Sequence, residues 1–406
     1  MTLAEALAQL DSAEMGGLFP PEILHTEFIK QENDLQLTEE TITEYARFCS
    51  IPEPVVSELQ EAVRLALQDP AAELIIKTIY RCVYLTDSGW AKPWTHQPLQ
   101  KKYGDNAHLM CLAAALGLVP ILKKLHSKLN ISEQITRATC SQLNAYCNNH
   151  IAGAGKPGIY PQQFNWLYVY QLPECFMVRL GRFEFRKISY PFHSHVFRHK
   201  KTKELVIFAN PGFQFDCSGF ALENTPGIPD CTFQSVYTED EYTATGNPVS
   251  PDGRTNRETK TINKAEYDLI LGHGMPVLDM HSPSGGGMTS EESERSFRLA
   301  KQFFTEHSGS DNMPAAIVCS SWIFNPNLPE ILPPESNLVR LLKRVHPIPR
   351  ASTKTDGLWF IFLHEGAFEL LKAPRKTSLQ KAVTRYIENG GRWRIGGMFL
   401  PLDEIE

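Results

Sequence analysis

The sequence has no C-x-x-C pair, no Gly-Lys-Ser/Thr after a glycine-rich loop and no G-x-S-x-G. Without C-x-x-C there is no zinc ribbon or thioredoxin-like pair. Without Gly-Lys-Ser/Thr there is no nucleotide P-loop. Without G-x-S-x-G there is no serine-hydrolase elbow. No basic run interleaves with aromatics, and the formal charge is −6. That balance argues against a nucleic-acid binder. Long apolar runs are also missing. Stretches such as Leu112 to Leu122 contain Gly and Pro and are too short to span a bilayer. The first residues, Met-Thr-Leu-Ala-Glu-Ala-Leu-Ala, carry acid and no basic region, unlike a signal peptide. The nine cysteines are an odd number without paired spacing. Reduced thiols and a cytoplasmic setting are expected.

What is present is an ordinary globular composition, 42% hydrophobic and 21% charged, over 406 residues. That length predicts two domains. Residues 1–150 read mainly as helix: Thr38 is an N-cap, and apolar stripes recur over Pro54–Gln68, Pro70–Leu85, Asn106–Lys128 and Ile131–Asn149. Asp87–Asp105, with Trp90 and Trp94, reads as a loop. Ile151-Ala-Gly-Ala-Gly-Lys-Pro-Gly158 punctuates the chain, placing a helical domain at 1–155 and a second domain at 160–406. In the second half, strands are expected at Trp166–Leu172, Phe176–Leu180, Arg182–Ile188, Ala315–Cys319, Leu358–His364 and from Gly390 onward. A hairpin spans Phe192–Ala209, a short strand lies in Phe213–Phe220, and 221–262 is a long polar excursion. Helices are expected from Ala265, at Leu338–Val345 and at Ser378–Asn389. The fold class is therefore α+β or α/β, a helical domain followed by a mixed sheet.

The most informative stretch runs from Pro276 to Phe297. Val277, Leu278 and Met280 give a buried strand, and Gly285, Gly286 and Gly287 a tight turn. Thr289 with Glu292 signs a helix start. A strand feeding a helix through such a turn leaves unpaired N–H groups aimed at one point, a cradle for phosphate. Close packing alone also explains glycines there, and Glu291, Glu292 and Glu294 answer the helix dipole themselves. His281 ends the strand where ligands of α/β sheets gather, suited either to remove a proton or to brace the turn. Ser320 and Ser321 end the next strand, as oxyanion donors or as a polar strand end. Cys319 lies in an apolar run and reads as core. Glu335 and Asn337 either point at a ligand or serve a helix start capped by Ser336. His193, His195 and His199 share one face of a strand, but His193 and His199 are roughly 20 Å apart along it, too far for one metal. Gly246–Arg254 reads as a surface loop.

Five segments in order resemble a known family: Gly246-Asn-Pro-Val-Ser-Pro-Asp-Gly-Arg254, Val277-Leu-Asp-Met-His-Ser-Pro-Ser-Gly-Gly-Gly287, Cys319-Ser-Ser-Trp322, Leu332-Pro-Pro-Glu-Ser-Asn337 and Thr377-Ser-Leu-Gln380. They resemble bacterial acyltransferase-domain proteins with a helical N-terminal domain and a GNAT-like C-terminal domain. The resemblance covers residues 160–403, and 1–150 only in helical character. Ser282 departs from the family's His-Ile-Pro-x-Gly-Gly, and the acetyltransferase signature Gln/Arg-x-x-Gly-x-Gly/Ala is absent from the turn. The resemblance implies an acyl-coenzyme A co-substrate and no metal. Gly285, Gly286, Gly287, Met288 and Thr289 would hold its pyrophosphate. His281 would be the base, Ser320 or Ser321 the hydrogen-bond donor, and Glu335 and Asn337 would contact substrate. The acceptor would be a small-molecule amine or hydroxyl, and an acyl carrier protein is an alternative donor. A non-catalytic module that binds an acyl or nucleotide metabolite is the second reading.

Overall fold

The computed structural model describes residues 1–29, 31–85, 97–309, 312–363 and 368–406. Trp90, Trp94 and His364 lie outside the described residues. The chain divides into two compact units. One comprises Met1–Arg179 with Pro283–Gly285, and the other Leu180–Ser282 with Gly286–Glu406.

The first unit is helical because its apolar residues recur at helical spacing and its helices are capped. Thr38 accepts from the Thr41 amide at 3.1 Å and starts Glu39–Phe48. Pro52 and Pro54 open Glu53–Leu67. Asp69 accepts from the Ala71 amide at 3.0 Å and starts Pro70–Tyr84. The Asn106–Lys128 stripe is two helices, Asn106–Ala115 and Leu118–Lys128. They meet at Gly117, where a Cβ would strike the Tyr80 ring at 2.4 Å. By length and composition this run could cross a membrane, but 72% of its most apolar window is buried. Core packing accounts for its character. The Ile131–Asn149 stripe likewise forms Glu133–Cys140 and Gln142–Ala154, and Gln97–Tyr103 is a helix within the expected loop. Trp166–Leu172 is not a strand: Phe164–Leu167 is α-helical and Tyr168–Gln171 is 3-10. Phe164, Leu167 and Tyr170 are buried at intervals of three, which a strand cannot achieve.

The second unit is built on a mixed sheet. Within this unit its order is Phe183–Ser189, Pro276–His281, Ala316–Ser321, Gly396–Pro401, His346–Ile348. Pro276–His281 and Ala316–Ser321 are parallel, and the pairs at their flanks are antiparallel. The long helix Ser290–His307 packs on one face through Phe297, Ala300 and Phe304. The Phe297 ring stacks on Phe183 with centroids 5.6 Å apart. Ser296 Oγ accepts from the Phe183 amide at 3.0 Å and donates to the Leu180 carbonyl, tying helix to sheet.

Three further expectations need correction. Tyr267–Leu271 is a strand paired with His195–His199, not a helix start. Its residues pair one by one until a bulge between Leu269 and Leu271. Leu358–Phe362 is a helix, with Leu358, Ile361 and Phe362 buried and Phe360 58% exposed. A short apolar run does not distinguish the two periods until one position turns outward. The excursion 221–262 carries short paired strands, among them Tyr237–Glu239, Thr243–Gly246 and Lys260–Asn263.

Candidate active site

Two parallel strands that part before their ends create the site's central feature. Pro276–His281 and Ala316–Ser321 pair in register at Leu278–Ile317 and Asp279–Val318. Beyond that their mutual ladder stops. Each stays bonded to its outer neighbour: Met280 and His281 to Phe185 and Glu184, and Cys319–Ser321 to Met398–Gly396. The central sheet therefore opens at the ends that carry His281 and Ser320.

His281 and Asp279 lie two apart on one strand and share a face. His281 Nε2 is 3.0 Å from Asp279 Oδ2. Arg186, opposite Asp279 on the neighbouring strand, donates from Nε to the same oxygen at 2.9 Å. A carboxylate only accepts, so Nε2 carries a proton in this contact. Burial raises the Asp279 pKa. The hydrogen bond and charge of His281, followed by Arg186, outweigh burial and hold it below the ordinary value. Glu184, only 2% exposed, stands opposite His281 in the same register. Sequence reasoning missed Asp279, Arg186 and Glu184. The available signal was an acid two residues before a histidine inside an apolar strand.

The turn follows. Gly285 and Gly286 adopt φ of +82° and +68°, conformations that glycine alone takes cheaply. Gly285, Gly286 and Gly287 are exposed and Met288 is half-buried. Among the described residues their four amides donate no hydrogen bond. Arg182 Nε donates to the Gly287 carbonyl at 3.1 Å, which sets a guanidinium beside the turn. Asn337 Nδ2 also approaches: a Cβ on Gly287 would be 3.8 Å from it. Glu335 is exposed. The Thr289 hydroxyl is already engaged. It accepts from the Glu292 amide at 3.2 Å and donates to that residue's carboxylate at 3.4 Å. Glu291 bonds its own amide and Thr289, which holds its carboxyl below the usual value. The helix terminus is thus answered internally, and the open donors belong to the glycines.

The two serines separate in role. Ser321 Oγ accepts from the Ile323 amide at 3.4 Å, capping a 3-10 turn. Ser320 Oγ accepts from Arg350 Nε at 3.2 Å and is exposed. Cys319 is buried, and burial pushes its thiol well above the ordinary value, which rules out a ready nucleophile. The strand histidines are used in stacking and turns. His193 stacks on His273 at 4.1 Å and His195 on Tyr237 at 3.9 Å. His199 Nδ1 accepts two amides of its hairpin. Among the described residues no group of three metal-binding side chains occurs. Gly246–Arg254 folds back on itself, and a Cβ on Gly253 would lie 3.2 Å from Pro326. Gly253, Arg350 and Arg394 line a cavity of about 20 Å³, room for one water and no acyl chain.

Comparison with known proteins adds the following. The family described as "GNAT-like C-terminal domain" matches residues 177–400, and "N-acyltransferase N-terminal domain" matches residues 40–170. Among curated proteins no match was found. The crystal structure of an acyltransferase mutant in complex with octanoyl-CoA aligns over 99% of both chains, with TM-score 0.60 and 18% identity. That of an acyltransferase in complex with decanoyl-CoA and teicoplanin aligns over 99% of this chain and 100% of the other, with TM-score 0.58 and 18% identity. At that identity the likeness is one of fold.

Proposed function

The chain belongs to the GNAT-like C-terminal domain family, and on that premise we propose that it moves an acyl group from an acyl-coenzyme A to an amine or hydroxyl of a small-molecule acceptor. The observation that carries this is the exposed glycine turn with unengaged amides, one strand-end away from an aspartate-oriented histidine. The thioester supplies an activated acyl carbon and a thiolate leaving group. The amides of Gly285, Gly286, Gly287 and Met288 are suited to its pyrophosphate, with Arg182 adding charge. Thr289 shapes this cradle as a helix cap rather than as a ligand. Asn337 flanks it.

His281 acts as base. Asp279 holds its Nε2 proton, so Nδ1 takes the acceptor's proton as the new bond to the acyl carbon forms. Arg186 keeps Asp279 ionised and in place. Ser320 donates to the carbonyl oxygen, because its own oxygen already accepts from Arg350 and its hydrogen must point elsewhere. The gap between the parted strands suits a linear acyl group. Solved structures of the same fold hold octanoyl-CoA and decanoyl-CoA, and one of these also holds teicoplanin. These support a medium-chain ester in preference to a carrier-protein thioester.

The test is native mass spectrometry with acyl-coenzyme A esters of two to twelve carbons, followed by thiol release with amine acceptors. Retention of a medium-chain ester and acceptor-dependent thiol release are expected. Failure to retain any ester would defeat the proposal, and retention without thiol release from any acceptor would favour a binding module.

A further inference from the structure

Arg350 is a half-buried cation with no counter-ion among the described residues. Its stem crosses the sheet over Gly397, where a Cβ would lie 2.9 Å from Arg350 Cδ. Ser320 and Gly397 are register partners, so this crossing brings the guanidinium onto the face that carries Asp279 and His281. There Nε donates to Ser320 at 3.2 Å, and the guanidinium carbon sits 3.4 Å from the centre of the Phe192 ring. Phe192 is in turn braced edge-on by Tyr190, whose ring is fully buried. Nη1 is buried with no acceptor, and among the described residues no carboxylate pairs with Arg350. Burial lowers its pKa to about 10, so it stays charged at neutral pH. By contrast Arg186, Arg198, Arg344 and Arg394 in the same unit all pair with carboxylates.

A largely desolvated charge that no described carboxylate answers is costly, and this one is oriented by a stacked ring, a hydroxyl and a bare glycine backbone that lets it pass. Opposite charge supplied by a ligand would offset that cost. A transient oxyanion is present only during reaction, whereas a carboxylate is charged throughout binding. We infer that Arg350 binds a carboxylate on the acceptor, making the substrate class amines that carry a free acid. The guanidinium is its donor, Ser320 holds that guanidinium in place through Nε, and His281 on the same face meets the amine. The word acceptor rests on the acyl-transfer reading; carboxylate binding does not.

The experiment separates the two. Ligand-observed NMR measures binding of free amino acids and of their C-terminal amides to the full chain, with and without octanoyl-coenzyme A. In the wild type, at least one acid should bind tenfold or more tighter than its amide. Arg350→Met should reduce that ratio below twofold, and Arg350→Lys should leave an intermediate value. Octanoyl-coenzyme A binding, read in parallel, should change less than threefold in both variants and shows that they fold. Equal binding of acids and amides, binding of neither, or a preference that survives Arg350→Met would overturn the inference. Failure to bind octanoyl-coenzyme A would count against acyl transfer while leaving the acid-to-amide ratio readable.

Discussion

At the scale of single residues the chemistry rests on a chain from Arg186 through Asp279 to His281. Replacing His281 by alanine should lower turnover by about 10²- to 10⁴-fold. Acyl-coenzyme A affinity, measured by calorimetry, should stay within a few-fold. Asp279→Asn removes the orienting charge and should cost on the order of 10- to 100-fold. It should also change acid stability. The folded Asp279 pKa is depressed, so its contribution is present above the unfolded value and is lost as pH falls through the folded value. Wild type and Asp279→Asn should differ in urea midpoint at neutral pH and converge once pH drops below the ordinary carboxylate range. A constant gap across that range would refute the coupling. Asp279 could be read from its place two residues before His281, but Arg186 was invisible because it depends on register: nothing in one strand says which residue of another stands opposite. Arg350 was invisible for the same reason, since its path depends on the bare backbone of Gly397.

At the scale of elements, the glycine turn was legible and several neighbours were not. Thr289 capping a helix could be read directly, because capping depends on positions three apart in the chain. Two of the segments that carry the family resemblance are caps of this kind, Ser336 before Asn337–Arg344 and Thr377 before Ser378–Glu388. Leu358–Phe362 and Tyr267–Leu271 were misread because five residues are too few to separate the two periods, and tertiary packing decides between them. Gly286→Ala meets no closer atom than Arg182 Nε at 4.0 Å but must hold φ at +68°. It should cost about 1 kcal/mol in chemical denaturation and weaken acyl-coenzyme A binding more than it weakens the fold. Gly396→Ala is a different case. Its Cβ would fall 1.8 Å from the Phe324 carbonyl oxygen. A loss of about 3 kcal/mol or more is expected, visible as a large drop in melting temperature.

At the scale of the molecule, the thiols report on both units. Cys49, Cys82, Cys111, Cys140, Cys147 and Cys319 are buried, Cys175 and Cys231 are half-buried, and Cys217 is exposed. A thiol reagent should therefore label Cys217 first in the native protein, and the six buried cysteines only on unfolding. Rapid native labelling of Cys111 or Cys319 would contradict the packing of its unit. The parting of the central strands also decides where the chain tolerates changes in length. One residue inserted between Pro276 and Asp279 would turn Asp279 and His281 toward Phe297, and one inserted within Phe183–Ser189 would take Arg186 off Asp279 or Glu184 off His281. Those two stretches must keep their residue count, while hairpin tips such as Lys200–Lys203 can lengthen freely. Among distant relatives, insertions should collect in the tips, and the spacing from Arg186 to its strand-mates should read the same in every functional copy.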